Sequence, residues 1–389
     1  MGNGKYDVIV IGAGPAGLMF SRVVASKGFN VVILEKEGVL GTKPCGEGVS
    51  LKTLETAGIS QREASAFVSK EVRRAHVYAP DGTKITIEEG GKGYILDKRK
   101  FLRVMANKAV DLGADILPLT PVKDIVKIDD GFLVKARGFE GTARLLVGAD
   151  GYLSLVSRKL GFEAIGGREV IPTAQYLMAN VDLEDPEGTG FYLGNEVAPG
   201  GYAWVFPKED GMANVGIGVR GASPMTYLEK FIKEHPRMLS KAKPIEFGAA
   251  AVTIGGMLKK VVSDNVLLIG EAAGQVIPLT GGGIHSSIAG GLIAAEVSIE
   301  ALEEEDLSLT FLKKYVEEYN SYWGKRIRDS KRALEIIEKL SDKELNELAR
   351  ILDPKDILDL ANGENIVRVA AKLMRHPVFS VKIAARLMS

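Results

Sequence analysis

The sequence predicts an α/β fold with a Rossmann-like dinucleotide-binding unit at the start, an inserted antiparallel β-sheet and a C-terminal helical region. Three observations carry this. Residues 6–35 read as strand, glycine-rich turn, helix and strand, closing on an acid. Residues 171–219 alternate in polarity, are rich in aromatics and carry few helix signals. From residue 306 onward apolar residues recur at helical spacing.

The first unit is the most specific. Val8, Ile9, Val10 and Ile11 form a short apolar run of the kind a buried parallel strand shows. Gly12, Gly14 and Gly17 then complete G-x-G-x-x-G, and the second apolar run, residues 31–34, ends at Glu35. Gly12 permits the tight turn, Gly14 admits a pyrophosphate close to the backbone, and Gly17 lets helix approach strand. The helix N-terminus offers unpaired N–H groups and a positive dipole end to phosphate. Glu35 can accept both hydroxyls of an adenosine ribose. Strand, helix, strand and terminal acid together make this a strong signal for ADP-ribose, where the glycines alone would be weak.

Composition bounds the rest. The chain has 389 residues, enough for two or three domains, and Lys+Arg and Asp+Glu both number 50. No overall field favours nucleic acid. A single cysteine, Cys45, excludes an intramolecular disulfide framework and suits a reducing cytosol. The opening MGNGK leads straight into the first strand without a signal-peptide pattern. No apolar run approaches the ~20 residues of a membrane span. A cytoplasmic location is expected, compatible with peripheral contact at the inner face of the cell membrane.

Beyond Glu35, residues 38–50 form an irregular glycine-rich loop with Cys45 between Pro44 and Gly46. Cys45 has two readings: a small residue in a tight loop, or a group touching a reactive ring or acting as an acid. Residues 73–87 alternate around Asp81-Gly82, a hairpin in which His76 is read as a strand-face residue. Residues 96–115 read as an amphipathic helix with Asp97 as N-cap and Lys98 and Arg99 in the first turn. A second hairpin turns at Asp129-Asp130-Gly131, and the short strand 145–147 ends near Asp150, well placed for a ligand above the sheet.

In the alternating region Tyr202, Trp204 and Phe206 share one strand face, and Asn214, Gly216 and Gly218 share a face of the return strand. The sequence does not fix their register. The stripe is therefore read both as core and as the wall of a pocket for a long apolar ligand. Residues 266–269 return to the buried-strand pattern, with Glu271 just beyond. Gly281, Gly282 and Gly283 then open a helix running to about residue 301, a close-approach site for an anion or ring carbonyl. His285 is read as a first-turn helix residue, with proton donation as the rival. Ser341 and Glu344 form a capping box. Arg368, Lys372, Arg375, Lys382 and Arg386 follow the last acid, Glu364, and suit helix packing or an anionic lipid surface.

These signatures, G-x-G-x-x-G, Asp150-Gly151 and Gly270-Glu271, stand in the order found in FAD-dependent oxidoreductases of the para-hydroxybenzoate-hydroxylase type, which the chain resembles. Position 271 is Glu where that type normally has Asp. Two further stretches resemble the geranylgeranyl reductases, notably the archaeal enzymes of membrane-lipid synthesis: PCGEG at 44–48, and Y-x-W-x-F-P at 202–207 followed by Gly216-Ile-Gly218. The resemblance implies FAD as cofactor, its ADP half held by Gly12, Gly14, Ala16, Gly17 and Glu35, with Val122 on the adenine side. It places Cys45, Gly46 and Gly48 near the flavin, Glu271 near the ribityl chain, and Gly283 and Ile284 over the pyrimidine edge, with Asp150, Gly281 and Gly282 also among the cofactor-binding residues. Lys98 stands where the family usually has Arg. Tyr202, Trp204, Phe206, Pro207, Gly216 and Gly218 would hold a polyprenyl chain.

The implied reaction saturates C=C bonds of geranylgeranyl chains on archaeal-type glycerolipids by hydride transfer from reduced flavin N5. Cys45 is the candidate catalytic residue, while Tyr202, His285 and a water remain open as proton donors. No metal is expected. The implied partners are an isoprenoid lipid and an electron donor, NAD(P)H, a ferredoxin or a deazaflavin. The expected division is an FAD-binding domain from 1–75, 95–160 and 260–300, a substrate domain from 76–94 and 161–259, and a helical region at 301–389. The rival functions are a flavin monooxygenase acting on an aromatic or quinone, and a non-catalytic lipid carrier.

Overall fold

The computed structural model describes residues 3–88 and 90–376. Its first sheet is built around Asn3–Ile11, which lies parallel between Val31–Leu34 and Phe139–Gly148. Val266–Leu268 adds in parallel beyond Phe139–Gly148, and Asp115–Leu117 adds beyond Val31–Leu34. Val8, Ile9, Val10, Val31, Val32 and Ile33 have no solvent exposure, as strands covered on both faces require. Helices Pro15–Ala25 and Ile284–Glu303 cross where Gly291 meets Ala16; a Cβ on Gly291 would lie 2.4 Å from the Ala16 carbonyl oxygen. The strand expected at 145–147 is longer, Phe139–Gly148, because its outer half pairs with the hairpin strand Gly131–Ala136.

The second sheet runs in the order Lys243–Thr253, Val170–Ala179, Ala213–Gly218, Tyr202–Pro207, Gly188–Tyr192, Arg74–Tyr78, Lys84–Ile87. It is antiparallel apart from one parallel junction, Gly188–Tyr192 on Arg74–Tyr78. One face packs Met178, Val205, Val215 and Ile217 against Leu228 and Phe231 of helix Pro224–Glu234. The opposite face carries the aromatic stripe. His76 sits in this sheet as a strand residue, its ring nitrogens bonded to Thr86 (3.0 Å) and Asp185 (2.8 Å).

A small sheet of Gly48–Ser50, Gly93–Leu96 and Val68–Val72 lies beside the loop that carries Cys45. Helices follow from Leu309 to Met374, with a π-helical turn at Asn320–Gly324. The capping box at Ser341 and Glu344 is present. Lys372 pairs with Asp353 (2.7 Å) and Asp356 (2.5 Å), and Arg368 with Asp356 (2.8 Å) and Asp359 (2.6 Å). These two cations of the basic tail are therefore committed to packing against helix Pro354–Asn362. Lys382 and Arg386 lie outside the described residues. Among the described residues no helix is long and apolar enough to cross a membrane.

Candidate active site

The dinucleotide cradle lies at the C-terminal ends of the parallel strands. Gly12 adopts φ 104°, and a Cβ there would lie 2.5 Å from the Ala149 carbonyl oxygen. A Cβ on Gly17 would lie 2.2 Å from the Gly12 carbonyl oxygen, so this helix–strand approach requires glycine. Gly14 differs. It caps helix Pro15–Ala25 in extended conformation without a side-chain cap, and a Cβ there would meet nothing within 4 Å. The turn thus leaves open space in front of unpaired helix N–H groups, which fits a pyrophosphate.

Two acids flank this turn. Glu35 accepts N–H bonds from Ala13 (2.7 Å) and Glu37 (2.8 Å), one on each oxygen. A carboxylate has about four acceptor sites, so capacity remains for ribose hydroxyls. Val122 begins a strand two residues after Thr120, whose N–H donates to the Glu35 carbonyl at 2.8 Å. Asp150 Oδ2 accepts the Leu155 N–H at 2.7 Å, while buried Oδ1 has no partner among the described residues. Burial pushes the Asp150 pKa up. An orphaned buried acceptor beside Gly12 fits a ligand hydroxyl, because leaving it unmet is costly. Together the open turn and this oxygen fit the ribose–pyrophosphate–ribityl portion of FAD. Glu271, on the far side, is held through both oxygens by Lys43, at 2.8 and 2.6 Å.

The Cys45 loop is tied down from several directions. Lys98, almost fully buried, donates its ammonium to the Lys43 carbonyl. Pro44 packs on Gly248, where a Cβ would come within 2.4 Å of its ring. The Glu47 N–H donates to Cys45 Sγ at 3.3 Å. Gly46 faces the aromatic stripe: a Cβ there would lie 2.8 Å from the Phe206 ring and 3.5 Å from Trp204 Nε1. A Gly48 Cβ would lie 3.5 Å from the same Phe206 ring. The structure therefore brings Gly46 and Gly48, on the turn that carries Cys45, against Trp204 and Phe206.

The register of the stripe is Tyr202 opposite Gly218, Trp204 opposite Gly216 and Phe206 opposite Asn214. The Trp204 indole itself fills the space above Gly216, where a Cβ would lie 2.2 Å from Cζ2. Trp204 is 8% exposed, and its Nε1 has no hydrogen-bond partner among the described residues. Phe191, paired opposite Trp204, widens the wall by packing edge-on to Phe206 at 5.1 Å. Pro207 ends the strand. Tyr202 donates to the Thr280 carbonyl and so joins this sheet to the glycine loop. Burial, and secondarily Cys45, pushes the Tyr202 pKa up.

In that loop Gly281 adopts φ 64° beside Val252, and Gly283 caps helix Ile284–Glu303 with no side-chain cap. Gly282 and Ile284 complete an approach lined by backbone. His285 points away from it. Its Nε2 bonds Thr56 Oγ1 at 3.0 Å and its ring meets Trp323 edge-on at 4.7 Å. Burial, with Arg326 and Lys52, lowers its pKa to about 4. Reading the sequence alone missed Lys43, Glu47, Lys208 and Thr280, and found Asn214 only as a residue sharing a strand face with Gly216 and Gly218. Only Glu47 carried a signal, as an acid flanked by glycines.

A family model of the geranylgeranyl reductase catalytic domain matches residues 169–252, and one of an FAD binding domain matches residues 7–49. Digeranylgeranylglycerophospholipid reductase 2 of Methanopyrus kandleri is 37% identical, covering 99% of this chain and 100% of that protein. Digeranylgeranylglycerophospholipid reductase 1 of Methanosphaera stadtmanae is 36% identical over 95% of this chain and 93% of its own length. A crystal structure of a geranylgeranyl bacteriochlorophyll reductase-like protein from Thermoplasma acidophilum superposes with TM-score 0.89 at 31% identity, covering 99% of this chain and 100% of that one. The flavin-dependent brominase Bmp2 shares the fold at TM-score 0.72 and 18% identity, covering 92% and 94%.

Proposed function

The chain belongs to the geranylgeranyl reductase family, and from that premise we propose that it saturates geranylgeranyl chains borne by archaeal-type membrane glycerolipids. It is an FAD-dependent oxidoreductase acting on CH–CH groups. When bound and reduced, FAD supplies the hydride; the protein must hold the alkene, exclude water and deliver a proton to the second carbon. An isolated alkene has no carbonyl to polarise, so positioning contributes heavily.

The observation that carries the reading is the aromatic wall of Tyr202, Trp204 and Phe206, set directly against the Cys45–Gly46 turn. Such a wall suits a long apolar chain and keeps water from the reacting carbon. Among proton donors, Tyr202 is committed to the Thr280 carbonyl and its acidity is suppressed by burial. His285 is neutral at pH 7 and engaged with Thr56. The reading therefore leaves donation to the Cys45 thiol, which would regain its proton from solvent, or to a water. The electron donor belongs to the set NAD(P)H, a ferredoxin or a deazaflavin, and a bilayer-borne substrate requires peripheral contact at the inner membrane face.

The test is anaerobic: reduce the FAD-loaded protein with dithionite, add a geranylgeranylated glycerolipid and read lipid mass. A gain of one H2 per reduced bond, with flavin reoxidation, supports the proposal. No mass gain, with aromatic substrates stimulating NAD(P)H-driven oxygen consumption, would replace it with a monooxygenase. Trp204→Ala should slow reduction of long prenyl chains while leaving FAD bound.

A further inference from the structure

Glu47 occupies a backbone conformation that glycine would adopt more easily. Its φ is 67°, in the left-handed region, and glycines stand on both sides. A side chain kept there needs a reason, and its contacts provide one. Oε2 accepts from Lys208 Nζ at 2.6 Å and from Asn214 Nδ2 at 3.1 Å. Oε1 accepts the Lys98 N–H at 3.2 Å, and the Glu47 carbonyl accepts the Leu96 N–H at 3.0 Å. The ion pair is largely withdrawn from water, with side-chain exposures of 11% for Lys208 and 16% for Glu47. Lys208 also donates to the Leu96 carbonyl at 2.9 Å, and Asn214 to the Gly46 carbonyl at 3.3 Å.

Lys208 and Asn214 are not arbitrary partners. Lys208 follows Pro207 at the end of the aromatic strand, and Asn214 lies opposite Phe206 on the return strand. One carboxylate thus clamps both strands of the aromatic hairpin to the turn carrying Cys45. The peptide N–H of the same residue donates to Cys45 Sγ. We propose that Glu47 is a positioning residue: through Lys208 and Asn214 it fixes the separation between the Cys45 thiol and the Trp204–Phe206 wall, so that thiol and wall move as one unit. This deepens the reductase reading and rests on it.

The test uses the FAD-loaded full chain and the variants Glu47→Gln, Glu47→Asp, Lys208→Met and the double variant Glu47→Gln/Lys208→Met. Misplacement on the order of 1 Å can cost about 100-fold in rate. Accordingly, Glu47→Gln should lower kcat for the prenyl lipid about 100-fold and leave KM within about twofold. Glu47→Asp should recover part of the loss. The double variant should be no slower than the worse single variant, because the pair acts as one element. Cys45 is the single cysteine, so its alkylation by iodoacetamide reads the turn without turnover. That rate should rise severalfold in Glu47→Gln and in Lys208→Met. Wild-type kcat, or a wild-type alkylation rate, in both Glu47→Gln and Lys208→Met would overturn the proposal. So would loss of bound FAD in every variant, which would make the cluster a folding element. If the unaltered protein leaves prenyl lipid unreduced, the reductase reading fails, while the alkylation comparison still judges Glu47.

Discussion

Replacing Gly216 by alanine tests whether the Trp204 indole must lie flat across the return strand. The added methyl would stand 2.2 Å from Cζ2 and 2.4 Å from Cε2 of Trp204, and 2.8 Å from Gln175 Cβ. Carbon atoms settle at about 3.5–4.0 Å, so the ring must retreat by roughly 1.3–1.8 Å. Overpacking of this kind costs about 1–3 kcal/mol. Alanine recovers about 0.5–1 kcal/mol over glycine within a strand, leaving a net loss of about 1 kcal/mol. The kinetic effect should be larger, because a wall displaced by about 1 Å can cost about 100-fold in turnover. The unaltered protein is the control. Urea denaturation reads the stability, and reduced-lipid mass reads the turnover. Turnover in Gly216→Ala equal to that of the unaltered protein would refute the argument that the indole's seat on Gly216 sets the aromatic wall.

Gly14→Ala should leave the melting temperature of the apoprotein unchanged and abolish FAD retention on desalting, because its methyl would project into the cradle rather than into protein. Gly17→Ala should instead destabilise the fold by about 2 kcal/mol, its methyl meeting backbone at 2.2 Å. His285 has a folded pKa of about 4 against an ordinary 6.5, so as pH falls the unfolded chain takes up the proton first. Its contribution is complete above pH 6.5 and lost as pH falls towards 4; the ceiling is about 3 kcal/mol, reduced by partial exposure. Urea midpoints between these pH values should fall less steeply in His285→Gln than in the unaltered protein. Lys372→Met should cost about 2 kcal/mol in urea unfolding, because Asp356 is fully buried and, among the described residues, would keep only Arg368 as a cationic partner.

Local backbone demands were legible in the sequence, and distant pairings were not. The glycines at 12, 14 and 17 could be read because each meets a requirement set within the same turn and helix. Asp97 as N-cap, the hairpin turns near Asp81 and Asp129, and the Ser341–Glu344 box were readable for the same reason. The glycines at 216 and 218 were visible, but whether they lay under the aromatics depended on a strand register that alternation alone does not specify. Glu47 and Lys208 are 161 positions apart, and Lys43 and Glu271 are 228 apart. Such pairs arise only when the completed fold brings distant loops and strand ends together, and neither partner signals the other beforehand. The basic tail was ambiguous because its helical stripe suits lipid and protein equally; the aspartates that answer Arg368 and Lys372 come from the preceding helix.

The interleaving of the two sheets along the chain bears on how the molecule is made. Phe139–Gly148 gains its outer parallel neighbour, Val266–Leu268, only after the whole second sheet has been synthesised. Until then a nascent chain displays an unpaired, wholly apolar strand edge at Leu145, Leu146 and Val147. Such an edge invites pairing with other chains. Closure over so long a separation also slows folding. The protein should therefore depend on chaperone protection late in translation, and a fragment ending before residue 266 should aggregate rather than yield a separable FAD-binding half.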